Sequence, residues 1–399
     1  MSLVLGLSCK TAKVNSVVCC KLKVLHIITC LDQGGAEAVL CRLVAAKKEG
    51  VEYSVISLKG RGFYGATLEA SGVQPHYFQF ARFFQWASFF EFFRLVRLIG
   101  KISPDVVQTW LYHADLIGGL AARLAGCKRV VWGIRTADLS PALNSRFTLI
   151  VAWLCARLSG VVPAFIATCS VAAANAHKNM GYDPGKFQVI PNGFDLTLYK
   201  PDPVARLLLR QQWGVADDEL LFGCVARWDV YKDHPNLLQA LSIAAADGLN
   251  FRCVLVGGGL MASNTALMGL LSKYNIEERV VLVGSRADIP AVMSAFDFHV
   301  LPSRSEAFPN VVAEAMACGI PCVVTDVGDA ALIVGNTGWM VPPANPDLLA
   351  LALEEAGKSF KSDADESRRI EVRNRVVNNF SLEKMTQSYV TLWQSVASS

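Results

Sequence analysis

At 399 residues, 52% hydrophobic and 18% charged, the chain is too long for one ordinary core and too apolar to be disordered, so two folded domains are expected. Its formal net charge of +4 hides an asymmetry: residues 1–192 hold 21 Lys and Arg against 10 Asp and Glu, and residues 193–399 hold 17 against 24. A basic half implies an anionic partner; with no zinc-finger, RNP-type or heptad pattern beside it, the charge argues against nucleic acid and for a membrane surface or a phosphorylated acceptor.

Residues 1–20 start apolar without a basic n-region, which does not fit a secretory signal and reads as an N-terminal extension. Residues 23–29 form a buried-type strand, followed by Asp32-Gln33-Gly34-Gly35-Ala36-Glu37 and an apolar-periodic helix over 38–48. Strand, glycine turn and helix open a doubly wound sheet. Further strands are predicted at 53–58, 105–109, 129–134, 165–169 and 187–190, with helices between them. Residues 77–101 depart from this plan, holding eight Phe and one Trp among Arg82, Arg94, Arg97 and Lys101. A basic aromatic helix reads as a membrane-surface contact over 80–90, against the plainer reading of a helix packed on its sheet, which suits 92–102. Residues 147–165 are apolar but contain Arg157, Gly160 and Pro163, so a core helix and strand are expected rather than a span. The twelve cysteines include no Cys-x-x-Cys pair and read as buried reduced thiols, which points to the cytoplasm.

Pro191-Asn192-Gly193-Phe194-Asp195, followed by Pro201 and Pro203, is the densest turn cluster and the expected hinge. Strands then resume at 220–226, 251–256, 280–283, 296–301 and 321–325, and the charged stretch 363–396 is helical. Two such halves make a cleft lined by the carboxyl ends of their strands. The division expected is an extension at 1–20, a first Rossmann-like domain at 21–192, a second at 193–377, and a helix at 378–399 that packs back on the first.

The stretch Leu301 to Gly319 carries the chemistry. Its strand stops at Pro302, Pro309 suits the first position of a helix, and Gly319 and Pro321 mark the end. Free N–H groups and the dipole make a helix start an anion site. Glu306 stands just before that start and Glu314 inside the helix. Carboxylates on helices are usually solvated, but Val311 to Cys318 are apolar around Glu314, and a carboxylate buried there needs partners. Ligand hydroxyls would supply them.

Glu306 and Glu314 form a Glu-x7-Glu pair. With Pro191-Asn192-Gly193-Phe194-Asp195, Val225-Ala226-Arg227 followed by Lys232-Asp233-His234, and Gly34-Gly35-Ala36-Glu37, it resembles the family 4 retaining glycosyltransferases of GT-B fold. The resemblance runs from about Lys21 to the C-terminus. It implies an α/β protein of two Rossmann-like domains facing a central cleft. It makes Arg227 and Lys232 the cations on the donor diphosphate, places Glu306 on hydroxyls of the donor sugar, and sets Glu314 on the nucleotide ribose. Phe308, Pro309, Asn310 and Val311 would present backbone to sugar and phosphates, although Pro309 cannot donate. Gly284, Ser285 and Arg286 would meet the base. Gly34 and Gly35 would let the first helix start approach the donor phosphate or the acceptor. Asn192, His113 and Arg135 fall on the acceptor side.

The implied reaction retains the anomeric configuration through a front-face, ion-pair-like route. Cations and helix-start N–H groups stabilise the leaving diphosphate without reorganisation, and the acceptor proton passes to the leaving phosphate oxygen. No enzyme nucleophile, cofactor or essential metal is expected, and Asp363-Ala364-Asp365 reads as a solvated helix start. Several positions depart from the family pattern. Ala307 stands where Gly usually follows the first Glu, Arg135 where His is common, and Gln108 and Trp110 at places where His is frequent. Whether Arg135 or His113 meets substrate stays open at this point.

The function expected is transfer of a sugar from a nucleotide diphosphate sugar, UDP before GDP, to a saccharide or polyprenyl-diphosphate-linked acceptor in polysaccharide or envelope glycan assembly. The expected location is the cytoplasm, peripheral at the inner face of the plasma membrane. A sugar-nucleotide epimerase of the same architecture would lack the Glu-x7-Glu stretch in this form, and a non-catalytic nucleotide-sugar-binding protein would have lost Arg227, Lys232 or Glu306. A dinucleotide-dependent dehydrogenase is set aside because Val256-Gly257-Gly258-Gly259 lacks the full spacing.

Overall fold

The computed structural model describes residues 21–80, 86–141, 144–216, 218–360 and 362–398. The extension at 1–20, Arg82 with its neighbours in the aromatic segment, and the side chains of Trp86 and Asp363 lie outside the described residues.

Buried runs of aliphatic and aromatic residues form the strands. The first sheet contains β1 (Leu22–Ile28), β2 (Val51–Ser57), β3 (His76–Tyr77), β4 (Val106–Trp110), β5 (Val130–Ile134), β6 (Phe165–Thr168) and β7 (Phe187–Val189), in the order β3-β2-β1-β4-β5-β6-β7. The second contains β8 (Leu221–Val225), β9 (Arg252–Val256), β10 (Val280–Gly284), β11 (Phe298–Leu301), β12 (Cys322–Thr325) and β13 (Trp339–Val341), in the order β10-β9-β8-β11-β12-β13. All strand pairings are parallel. Helices cover both faces of each sheet, which is why the strands are apolar throughout rather than alternating. This is the expected pair of Rossmann-like domains. The edge strands β3 and β13, two and three residues long, were not among the predicted ones, being too short to carry a periodic signal.

In each sheet the order reverses between two neighbours, β1 and β4 in the first and β8 and β11 in the second. Loops leaving these strands part to opposite faces and open a crevice at the carboxyl edge. The two crevices face each other.

The chain passes between domains twice. Phe194 N–H donates to the Phe380 carbonyl at 2.9 Å, and Leu382 N–H donates to the Phe194 carbonyl at 2.9 Å. Gly193 is required there, because a Cβ would sit 2.7 Å from that of Met385 and 2.8 Å from the Leu382 Cα. The last helix, Leu382–Ser398, then lies on the first sheet with Met385, Tyr389 and Trp393 buried against β1 and β4. Trp393 Nε1 donates to Gln108 Oε1 at 3.1 Å, and Trp110 Nε1 donates to His26 Nδ1 at 3.1 Å. Gln108 and Trp110, at positions where the family often has His, are therefore buried wall and not cleft.

In the second domain Asp297, fully buried, takes Arg206 at 2.7 Å, Arg210 at 3.1 Å and Arg369 at 3.6 Å. This cluster ties β11 to the helices Pro203–Gln212 and Asp363–Asn379. All nine cysteines among the described residues are free thiols, seven of them buried. Among the described residues no helix is long and apolar enough to cross a membrane.

Candidate active site

A cavity of about 460 Å³ lies where the two crevices meet, with Gly35, Glu37, Arg135 and Asn192 on one wall and Arg227, Lys232, Glu306 and Asn310 on the other. A larger cavity, about 570 Å³, lies at the opposite, amino edge of the first sheet near Ser103, Cys127 and Arg129. It lacks the convergent charged pairs of the cleft.

The second-domain wall is built from the loops after β8 and β11, which are laced together. Asp229 Oδ1 accepts from Tyr231 N–H at 3.0 Å and shapes the turn that presents Lys232. Arg304 N–H donates to the Tyr231 carbonyl at 2.7 Å, and Arg304 Nε donates to Asp233 at 2.6 Å. Lys232 Nζ consequently reaches Glu306 Oε1 at 2.5 Å, where the Ser303 hydroxyl also donates at 2.8 Å. Arg227 is held only loosely, by Asp229 at 3.3 Å, and its side chain is 71% exposed. A fixed ammonium, an exposed guanidinium and a carboxylate thus share one wall.

The helix Asn310–Ala317 begins one residue later than the sequence reading put it. Pro309 is the extended residue before the helix, φ −73° and ψ 91°, a displacement within the usual fraying of helix ends. Phe308 turns its ring into the core, stacked on Phe194 at 6.4 Å and edge-on to Phe380 at 5.7 Å. Phe308 also lines the cavity. Val311 packs against the same core.

Glu314 does not line this cavity. Burial pushes its carboxyl above the usual range, while the Arg42 guanidinium and the Tyr199 hydroxyl beside it act in the opposite sense. Arg42 comes from the first domain and also lies over the Phe194 ring, 5.3 Å from its centroid. Part of the partnership expected from ligand hydroxyls is therefore supplied by the protein.

On the first-domain wall, Arg135 lines the cavity and His113 does not. Arg135 enters the cavity stacked 4.6 Å over Trp110, and donates to Asn192 Oδ1 and the Tyr389 hydroxyl, both at 2.7 Å. Asn192 in turn donates to Asn310 Oδ1 at 2.8 Å, so a polar chain runs from the first domain through the linker to the helix Asn310–Ala317. His113 lies outside the cavity, 5.7 Å from the Phe147 ring, with its pKa lowered to about 4 by burial and by Lys59.

The first helix, Gly35–Ala45, presents Gly35 to the cavity. Gly34 is filled differently from the expectation: a Cβ there would lie 2.2 Å from Glu37 Oε2. Glu37, 6% exposed, takes the Cys30 thiol at 3.4 Å, and burial raises its pKa. Its carboxyl folds over the helix start much as in a capping box. Gly284 ends β10, Ser285 and Arg286 follow it, and none of the three lines the cavity; Gly284 adopts φ +72° and Arg286 Nε is paired to Asp288 at 2.7 Å. Among the described residues no group of three or more His, Cys, Asp or Glu is placed to hold a metal ion.

Sequence reasoning missed Glu37 as a wall residue, Arg42 beside Glu314, and Asp329. Asp329 accepts from the backbone N–H groups of Val171 at 2.9 Å and Ala172 at 3.0 Å, across the domain boundary. Only Glu37 had a visible signal, its place three residues after Gly34.

Two parallel doubly wound domains, with cations and carboxylates converging in the cleft between them, make up the GT-B architecture. Comparison with known families agrees: the Glycosyltransferase Family 4 model matches residues 33–198, and the Glycosyl transferases group 1 model matches residues 219–358. The chain belongs to the family 4 glycosyltransferases and is a transferase enzyme. It is 27% identical to the UDP-Gal:alpha-D-GlcNAc-diphosphoundecaprenol alpha-1,3-galactosyltransferase of Escherichia coli, over 75% of this chain and 77% of that protein. In fold it is similar to Anabaena HepE in complex with UDP, with a TM-score of 0.82 at 24% identity over 94% of this chain and 100% of that one. The lipopolysaccharide outer core galactosyltransferase WaaB in its apo form gives a TM-score of 0.70 at 14% identity over 94% and 99%.

Proposed function

We propose that this glycosyltransferase moves a hexose from a UDP-sugar to a polyprenyl-diphosphate-linked saccharide, with retention at the anomeric carbon, in polysaccharide or envelope glycan assembly. The observation that carries the reading is the Lys232–Glu306 pair at 2.5 Å on a cavity wall that also bears exposed Arg227. Negative charge develops on the departing diphosphate, and two cations on the wall stabilise it there. Lys232 and Ser303 both bond to Glu306 Oε1, and Oε2 is assigned to a sugar hydroxyl. Glu306 is engaged by an ammonium and serves as a hydroxyl acceptor in this scheme rather than as a nucleophile. Glu314, which stands outside the cavity in this structure, is assigned the ribose by the family resemblance, and Asn310 with the chain near Phe308 is assigned the sugar and phosphates. The reaction is expected to need no essential metal, so activity is expected to survive a chelator.

The UDP and lipid-linked preferences are supported by the named relatives, whose own donor is UDP-Gal and whose own acceptor is a diphosphoundecaprenol in one case and whose bound ligand is UDP in another. Such an acceptor sits at a membrane. The first domain offers a matching face: Phe89, Phe90 and Phe93 of helix Trp86–Ile102 are 58%, 72% and 43% exposed, and Ile150 and Trp153 of helix Arg146–Leu158 are 54% and 48% exposed. Arg94, Arg97 and Arg157 belong to the same two helices. We place this face against the anionic cytoplasmic leaflet.

The test is the anomeric configuration of the product formed from UDP-galactose or UDP-glucose on a synthetic polyprenyl-diphosphate GlcNAc, read by NMR coupling constants. An α product supports the reading and a β product ends it. Sedimentation with phosphatidylglycerol vesicles, lost in a Phe89→Asp, Phe90→Asp double variant, tests the membrane face; equal binding by wild type and variant would remove it.

A further inference from the structure

Asp329 is buried, 4% exposed, yet it stands in neither wall of the cavity. Its carboxylate belongs to the second domain and bonds to the first. Oδ2 accepts from Val171 N–H at 2.9 Å and Oδ1 from Ala172 N–H at 3.0 Å. Those are the first two residues of helix Val171–Met180, whose third N–H is capped by Ser170 Oγ at 3.0 Å. A carboxylate at a helix start gains from both the charge-assisted bonds and the dipole. The bonds therefore favour a closed cleft.

The same residue is tied to the sugar-side loop. Asp329 N–H donates to the Ala307 carbonyl at 3.0 Å. Next to it Gly328 adopts φ +58° and packs so tightly that a Cβ would lie 2.5 Å from the Glu306 carbonyl oxygen. Residues 328–329 and 306–307 therefore move as one piece. On the other side of the clasp, Cys169, one residue before the Ser170 cap, lines the cavity.

We propose that Asp329 is a positioning residue that couples closure of the two domains to the placement of Glu306. The carboxylate grips the first domain, and its own backbone holds the loop that carries Glu306. The sugar-facing carboxylate is thereby set in its reacting position when the acceptor domain is docked. The inference rests on the glycosyl-transfer reading of the cleft, and its own test does not depend on turnover alone.

Two variants probe the clasp from opposite sides. Asp329→Ala removes the acceptor. Val171→Pro removes one donor while preserving the helix, because proline is favoured at the first helical position and Ser170, at φ −150° and ψ 154°, already has the extended backbone that a following proline demands. With saturating UDP, small-angle scattering is expected to give both variants a larger radius of gyration than wild type. Turnover of the UDP-sugar is expected to fall about ten-fold in Asp329→Ala, with the UDP dissociation constant within about two-fold of wild type. The double variant is expected to be no worse than Asp329→Ala, since both changes break one contact. Equal radii in wild type and variants, or additive losses in the double variant, would overturn the proposal. Failure of wild type to bind UDP would instead count against the reading of the cleft.

Discussion

Asn192 and Asn310 join the linker to the donor helix: the Asn192 amide donates to Asn310 Oδ1 at 2.8 Å while its own oxygen accepts from Arg135 at 2.7 Å. One side chain thus spans the acceptor wall, the hinge and the first residue of the helix that holds Glu314. The guanidinium fills its remaining reach with the Tyr389 hydroxyl at 2.7 Å and the Trp110 face at 4.6 Å.

That geometry uses the planar fork of arginine, so lysine is a poor substitute. Arg135→Lys should behave almost as badly as Arg135→Ala. Each should lower turnover by about ten-fold or more and cost roughly 1–3 kcal/mol of stability through the bonds left unmade. Steady-state kinetics and urea denaturation of the two variants check this; full activity in the lysine variant would mean that only the charge matters.

The Lys232–Glu306 pair predicts a split between binding and chemistry. Lys232 is needed most when charge develops on the leaving diphosphate, so Lys232→Ala should reduce kcat by about 10²–10³. The dissociation constant of UDP, measured by calorimetry, should change much less than that. Equal losses in both would show that the ammonium acts on the ground state.

Asp297, buried among Arg206, Arg210 and Arg369, is a structural anchor. Asp297→Ala would leave the buried Arg210 and the partly buried Arg206 and Arg369 without their counter-charge and should destabilise the fold by about 3–5 kcal/mol. Chemical denaturation reads this directly. A loss below about 1 kcal/mol would show that the carbonyls around Arg210, at Ala216 and Glu219, suffice.

Buried titratable groups set the stability profile against pH. Asp115 accepts from the Thr109 hydroxyl at 2.5 Å and Gly133 N–H at 3.1 Å, and burial pushes its pKa up to about 8. The folded state keeps a proton that the unfolded chain loses near its ordinary value of 3.8. Its contribution is full below that value and is lost as pH rises towards 8. His26 and His299 run the other way. Burial lowers both to about 3 from 6.5, so their contribution is present above 6.5 and is lost as pH falls. Stability should therefore peak near pH 6.5 and decline from there to about 8, with a slope of up to about 1.4 kcal/mol per pH unit from Asp115. Asp115→Asn should flatten the alkaline side in urea titrations at a series of pH values; an unchanged slope would assign it elsewhere.

Much of this was legible in the sequence because parallel strands buried on both faces leave continuous apolar runs. The Glu-x7-Glu stretch was legible because an apolar helix makes an acidic residue conspicuous. Contacts between residues far apart in the chain were not. Arg42 beside Glu314, Asp329 on Val171, and Trp393 on Gln108 join segments with no shared periodicity. The folded carboxyl of Glu37 over Gly34 was hidden for another reason. A glycine pair before a helix reads equally as room for a phosphate or room for the protein's own side chain. The departures at Gln108 and Trp110 show the same limit, since their side chains serve the packing of the last helix on the first sheet.

The most direct measurement is calorimetric titration of UDP and GDP into wild type and Glu314→Ala. The account predicts that UDP binds wild type more tightly than GDP and that Glu314→Ala weakens UDP by about ten-fold, the loss of a charge-assisted hydrogen bond to the ribose. Equal UDP affinity in the two proteins would contradict the assignment of Glu314 to the donor, and no binding of either nucleotide to wild type would contradict the cleft as the donor site.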